Sequence, residues 1–162
     1  MSSKTPRWCG IFKPRKFVAT KLPTAYLAKT SSEQERQFIK QLSTSAEKGS
    51  IVVYALELDN SLAGLIGLST SRVDSISTIQ IDYLFVSGEH RGSAFEELAN
   101  TKISTYLIDL AIVLAKKISS EVGVHWLALV PDNDKLEEFY TKEFGFKPHN
   151  DRDKQRYLFL KI

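Results

Sequence analysis

A phenol, two strand carboxylates and an Arg-Gly loop are the groups in this sequence best suited to moving protons and holding an anion. Tyr140 lies in His125 to Phe146, HWLALVPDNDKLEEFYTKEFGF, whereas Asp82 and Arg91-Gly92 lie in Ile79 to Gly92, IQIDYLFVSGEHRG. In the first segment Trp126, Leu127, Leu129 and Val130 make a short apolar run bounded by Pro131. Leu136, Phe139, Tyr140 and Phe144 then recur at helical spacing, so the segment reads as strand, polar turn, helix. Asn133 stands at the start of that helix and Tyr140 about two turns later. The second segment is an apolar strand running into a basic, glycine-containing loop. A pyrophosphate needs several backbone N–H donors converging at a helix N-terminus, where the macrodipole is positive and a glycine permits close approach, and this loop suits that need. Glu57, on the preceding strand, is the other carboxylate.

Asn133, two residues, Leu136, then Phe139-Tyr140 and shortly afterwards Gly145-Phe146: this order resembles the C-terminal motif of the GNAT superfamily of N-acetyltransferases. Asp82, two positions before Leu84-x-Val86, and the following Arg91-Gly92 match the order of that family's central strand and phosphate loop. The resemblance covers about residues 51–162. It implies an α/β fold: a mostly antiparallel mixed sheet, one splayed parallel strand pair and helices on both faces. It implies acetyl-CoA as donor, contacted by the strand at Leu84, Phe85 and Val86, by the loop at Arg91, Gly92 and Ser93, and by Asn133. Tyr140 then protonates the departing thiolate, and Asp82, with Glu57 as the competing base, takes the proton of a primary amine in a ternary complex. A phenol with its ordinary pKa near 10 and a thiol near 8.5 make that transfer uphill by roughly 2 kcal/mol.

The chain departs from the family pattern after Arg91. Its run is RGSAFE, with Ala94 and Glu96 where glycines usually stand. In a second alignment about eight residues after Gly92 are inserted, and the cofactor helix opens at Lys102, with Lys102 and Ser104 at the glycine positions. The second is preferred, because Ile103, Leu107, Leu110, Leu114 and Ile118 then form one apolar stripe. Either way a carboxylate at Glu96 or Glu97 facing a pyrophosphate weakens its binding. Each candidate also has a plain structural use: Tyr140 as a core aromatic, Asn133 as a helix cap, Asp82 as a strand-face carboxylate paired with a lysine, Arg91-Gly92 as an ordinary turn.

Positioning these groups takes a definite order of elements. Ser32 and Glu35 form a capping-box pattern opening a helix to about Ala46, with Phe38, Ile39 and Leu42 on one face. Ile51–Leu58 and Leu62–Thr70 read as strands joined at Asp59-Asn60-Ser61, followed by a strand over Ile76–Val86. A long helix to about Ser119, the His125–Val130 strand, an Asn133–Glu143 helix and a strand over Arg156–Ile162 complete the chain. Asn150–Arg156 reads as a surface turn, and Trp8–Ala28 as an irregular or short-strand entry.

A chain of 162 residues, 43% of them hydrophobic, fits one domain, 1–162, with a core of its own. Cys9 is the single cysteine, which excludes an internal disulfide, and His90, His125 and His149 lack ligand spacing, so no metal site is expected. No apolar run approaches a membrane span, and no secretory pattern opens the chain, so a soluble, cytoplasmic protein without membrane partners is expected. Residues 1–32 carry seven basic residues and no acid, an N-terminal +7 set against −4 over the rest. Such a segment faces phosphates of coenzyme A or RNA, or is simply a solvated leader. The acceptor is therefore a small-molecule or macromolecular amine, including the aminoacyl end of a charged tRNA. A silent GNAT-fold module binding acyl-CoA or a partner protein, a nucleic-acid-binding domain and a homodimer remain open alternatives.

Overall fold

The protein, seen in a computed structural model, is described over residues 12–150 and 155–162. Its elements are β1 (Phe12–Val18), a 3-10 turn (Thr24–Lys29), α1 (Glu33–Glu47), β2 (Val52–Leu58), β3 (Ser61–Val73) and β4 (Ile76–Val86). A ribbon of β5 (Ala94–Phe95) and β6 (Thr101–Lys102) follows, then α2 (Ile103–Val122), β7 (Trp126–Leu129), α3 (Asp134–Phe144), β8 (Lys147–Asn150) and β9 (Arg156–Lys161). The main sheet runs β1-β2-β3-β4-β7-β9-β8, antiparallel except for β4 and β7. Cys9 and the middle of the expected Asn150–Arg156 turn, residues 151–154, lie outside the described residues.

Local chemistry accounts for these elements. Asp59-Asn60 and Asp74-Ser75 all have positive φ, the backbone of two-residue type I′ turns, and they close the β2–β3 and β3–β4 hairpins. Ser32 caps α1 by accepting the Glu35 N–H at 3.2 Å. Asn133 caps α3 by accepting the Leu136 N–H at 2.9 Å, and Gly145, at φ 78°, ends it in the left-handed conformation. On one face of the sheet Ile39, Leu42 and Ala46 of α1 pack on Phe17, Val53, Leu65 and Phe85. On the other, Ile103, Leu107, Ile108, Ala111 and Ala115 of α2 pack on Leu56, Ile66, Ile81 and Leu127, and Tyr140 of α3 joins them.

The buried face of α2 is wider than the expected stripe, since Ile108, Ala111 and Ala115 are fully buried while Leu110, Leu114 and Ile118 are only partly so. Small alanines let the helix lie close to the sheet. Gly64 on β3 permits the closest approach: a Cβ there would stand 2.7 Å from Ile103 Cγ2 and 2.9 Å from the Phe85 carbonyl oxygen. One glycine thus sets the height of the first turn of α2 above the sheet.

Three elements differ from the sequence reading. The residues after Gly92 form the β5–β6 ribbon, turned at Ala99-Asn100 with both φ positive, so the long helix opens at Ile103 as in the insertion alignment. Lys147–Asn150 pairs with β9 as β8, although its Lys-Pro-His-Asn sequence lacks any strand pattern. The entry segment contains a full edge strand, β1, whose exposed Lys13, Pro14, Arg15 and Lys16 hide its pairing with β2.

Candidate active site

Pairing of the parallel strands stops early, and the site begins there. Ile79, Gln80 and Ile81 pair with Leu127, Ala128 and Leu129, after which β7 ends while β4 continues to Val86. At the same point the β3–β4 register shifts: Gly67 faces Tyr83 and Leu68 faces Ile81, leaving Asp82 as the extra residue of a bulge. A bulge bends its strand and increases its twist. This one turns β4 away from β7 and opens a gap through the sheet.

The gap exposes defined backbone donors. Ser87 N–H bonds to Ala63 O on β3 at 2.9 Å, so by strand alternation Phe85 and Tyr83 N–H also face β3. Leu84 and Val86 N–H therefore face the gap, and the Val86 carbonyl, on that same side, accepts from Arg91 Nε at 2.9 Å. Of the three expected strand contacts, Leu84 and Val86 have the useful orientation. Phe85 instead buries its side chain among the α1-face residues.

A cleft of about 330 Å³ occupies the gap, lined by Phe38, Ile81, Asp82, Tyr83, Leu84, Val86, Arg91, Gly92, Ser104, Leu129, Val130, Asp132, Leu136 and Tyr140. It brings together Asp82, Leu84, Val86, Arg91, Gly92, Ser104 and Tyr140 from the expected set. Ser93 and Lys102 are exposed beside the ribbon and do not line it, and Asn133 uses its side-chain oxygen to cap α3. Glu57 stands apart: its carboxylate accepts from the Tyr26 hydroxyl at 2.6 Å and pairs with Arg15 at 3.5 Å. Sequence reasoning missed Phe38, Tyr83, Asp132 and Gly64, and for Phe38 the helical stripe was visible but not its contact with Tyr83 at 5.0 Å. A larger groove of 520 Å³ beside Leu114, Ile118 and Val122 contains none of the candidate groups.

Two titrating groups from separate elements line this cleft. Burial raises the Asp82 carboxyl above the ordinary range, partly offset by a hydrogen bond with Ser69, and its Oδ2 is buried without a partner among the described residues. Burial first, and then the charge of Asp132, push the Tyr140 phenol up to about 12. One group is thus a carboxylate with little to hold its charge, the other a phenol that keeps its proton. At the other end of the cleft α2 begins without a side-chain cap, Lys102 offering none, so its first-turn N–H groups remain available to an anion.

The sequence profile of the acetyltransferase (GNAT) family matches residues 16–146, and the chain belongs to that family. By family it is a GNAT-type acetyltransferase. Among solved structures, it is similar to AtaT complexed with acetyl-methionyl-tRNAfMet, at 17% identity and TM-score 0.74 over 93% of this chain and 94% of that one. AtaTR bound with AcCoA is similar at 19% identity and TM-score 0.74 over 93% of each chain. A tyrosine-to-phenylalanine mutant of KacT follows at 16% identity and TM-score 0.71, over 93% of this chain and 95% of that one. These likenesses show the fold. No curated protein sequence matches significantly. Among the described residues no helix is long and apolar enough to cross a membrane.

Proposed function

We propose that this acetyltransferase acetylates the α-amine of an aminoacyl-tRNA by direct attack in a ternary complex. The observation that carries the transfer chemistry is the cleft through the sheet, whose lining includes both Asp82, with one buried carboxylate oxygen that has no partner among the described residues, and the protonated Tyr140 phenol. Asp82 takes the proton of the attacking amine, directly or through water. Leu84 and Val86 N–H hold the acyl oxygen as negative charge grows on it. Tyr140 donates to the departing sulfur, and the uncapped first turn of α2 at Ser104 holds the donor's phosphates. Two things favour an RNA acceptor: the exposed basic residues Lys13, Arg15 and Lys16 on β1, and the likeness to AtaT complexed with acetyl-methionyl-tRNAfMet.

The test incubates the protein with labelled acetyl-CoA and a mixed pool of charged tRNA, with the same pool deacylated as control. Label released with the amino acid on alkaline hydrolysis supports the reading. Label appearing equally on deacylated tRNA, or only on protein lysines, refutes it. A second reading, a silent module that binds acyl-CoA without turnover, is favoured by Lys102 and Ser104 at the family's glycine positions. Slow thiol release with every amine offered, despite tight acetyl-CoA binding, would select it.

A further inference from the structure

Arg91 belongs to the loop that the family pattern assigns to the donor's pyrophosphate, yet its side chain lies on the other side of the sheet. Its guanidinium carbon sits 5.7 Å from the centroid of Phe85, a residue of the α1-face core. Its Nη2 donates to Glu35 Oε1 in the first turn of α1, and its Nε holds the Val86 carbonyl. A second pair of reversed polarity, Lys29 Nζ to Glu89 Oε1 at 2.7 Å, ties the same loop to the 3-10 turn that packs with α1. The Arg91 side chain is therefore clasped to the α1 face, while the uncapped start of α2, after the ribbon inserted beyond Gly92, packs into the opposite-face core at Ile103 and reaches the same cleft at Ser104.

Glu35 is fixed in turn. Its Oε2 accepts from Ser31 N–H at 2.5 Å and Ser31 Oγ at 2.7 Å, leaving Oε1 for Arg91. Although burial opposes it, these Ser31 bonds and the guanidinium hold the Glu35 carboxyl down at about 2, so the clasp stays charged at any working pH. Of the five guanidinium N–H donors, two are used; the other three have no protein partner among the described residues. They form a fixed fork at the mouth of the cleft, the geometry that matches a phosphate.

We propose that Arg91, positioned by Glu35, binds a backbone phosphate of the RNA acceptor entering from the α1 face and is not a ligand of the acetyl-CoA pyrophosphate. The assignment rests on the aminoacyl-tRNA reading for its ligand, and on the clasp alone for its face. The donor enters at α2, so the amine must come from the opposite side of the gap, past Phe38, Tyr83 and Arg91. Glu35 acts through Arg91 and is a positioning residue.

The test combines acetyl-CoA titration with acetylation of charged tRNA at several salt concentrations. Arg91→Ala is expected to bind acetyl-CoA within about twofold of wild type, to lose about tenfold or more in kcat/KM for charged tRNA, and to lower the salt slope by about one. Arg91→Lys keeps the salt slope but not the full kcat/KM. Glu35→Gln, which can still accept from Ser31, shows an intermediate loss toward tRNA with acetyl-CoA affinity unchanged. Tenfold weaker acetyl-CoA binding in Arg91→Ala, or an unchanged kcat/KM and salt slope for tRNA, overturns the inference. A wild-type protein that acetylates no charged tRNA fails the parent reading instead, and the titration of Arg91→Ala still decides on which face the guanidinium acts.

Discussion

Replacing Tyr140 by Phe removes one hydroxyl and keeps the ring, which is 7% exposed and lies 6.1 Å from Phe146. With the phenol at about 12 and a thiol near 8.5, full proton transfer to a free thiolate is uphill by about 5 kcal/mol, more than ordinary values imply. Tyr140 therefore acts as a protonated donor whose hydrogen bond strengthens as charge builds on sulfur. A hydrogen bond to a charged group contributes about 1.5–3 kcal/mol, so Tyr140→Phe should lower kcat by roughly 10- to 150-fold. KM for acetyl-CoA should change little, because the bond forms fully only in the transition state. The assay follows coenzyme A release with a thiol-reactive dye, beside a thermal melt to confirm retained packing. No alkaline loss of activity should arise from this phenol below about pH 11. A loss of kcat under threefold, or a loss confined to KM, would refute the acid role.

Three further outcomes follow from the same geometry. Gly64→Ala puts a Cβ against Ile103 and the Phe85 carbonyl, so the first turn of α2 must rise; a stability loss of about 1–3 kcal/mol by denaturant titration should accompany weaker acetyl-CoA binding. Asp82→Asn should abolish the acidic limb of the rate profile. Because burial raises the carboxyl in the folded state above its unfolded value, its stability contribution is fully present at low pH and is lost as pH rises through the folded value; the variant should melt higher than wild type at pH 7, with the gap closing in acid. Asn133→Ala should cost about 1 kcal/mol of stability through the lost cap, and Asn133→Ser should recover it, both with acetyl-CoA affinity near wild type.

Much of this arrangement was legible along the chain because it is local. The α3 unit could be read from Asn133 to Gly145, since cap, apolar spacing and C-terminal glycine all lie within one segment. The β2–β3 hairpin likewise announced itself at Asp59-Asn60. What escaped was set by contacts between distant segments. Asp82 was visible as a strand carboxylate, but its place in a bulge depends on the register of β3. Glu57 was legible as the competing base, but its pairing with Tyr26 and Arg15, from two other elements, was not. Arg91 matched a loop motif in order while its side chain points to α1. Order of residues constrains the backbone path; which face a loop side chain takes depends on partners that spacing does not encode.

The claim on which the rest depends is that acetyl-CoA occupies the gap between β4 and β7, with its phosphates at the start of α2. Calorimetric titration of wild type and Ser104→Glu tests it directly. The substitution places a carboxylate at the uncapped helix start, which favours the helix through its dipole but repels a phosphate. Micromolar binding by wild type, about −8 kcal/mol, with a loss of at least about tenfold in a Ser104→Glu protein that melts no lower, is the expected result. A folded wild type that does not bind, or equal binding by both proteins, would contradict it.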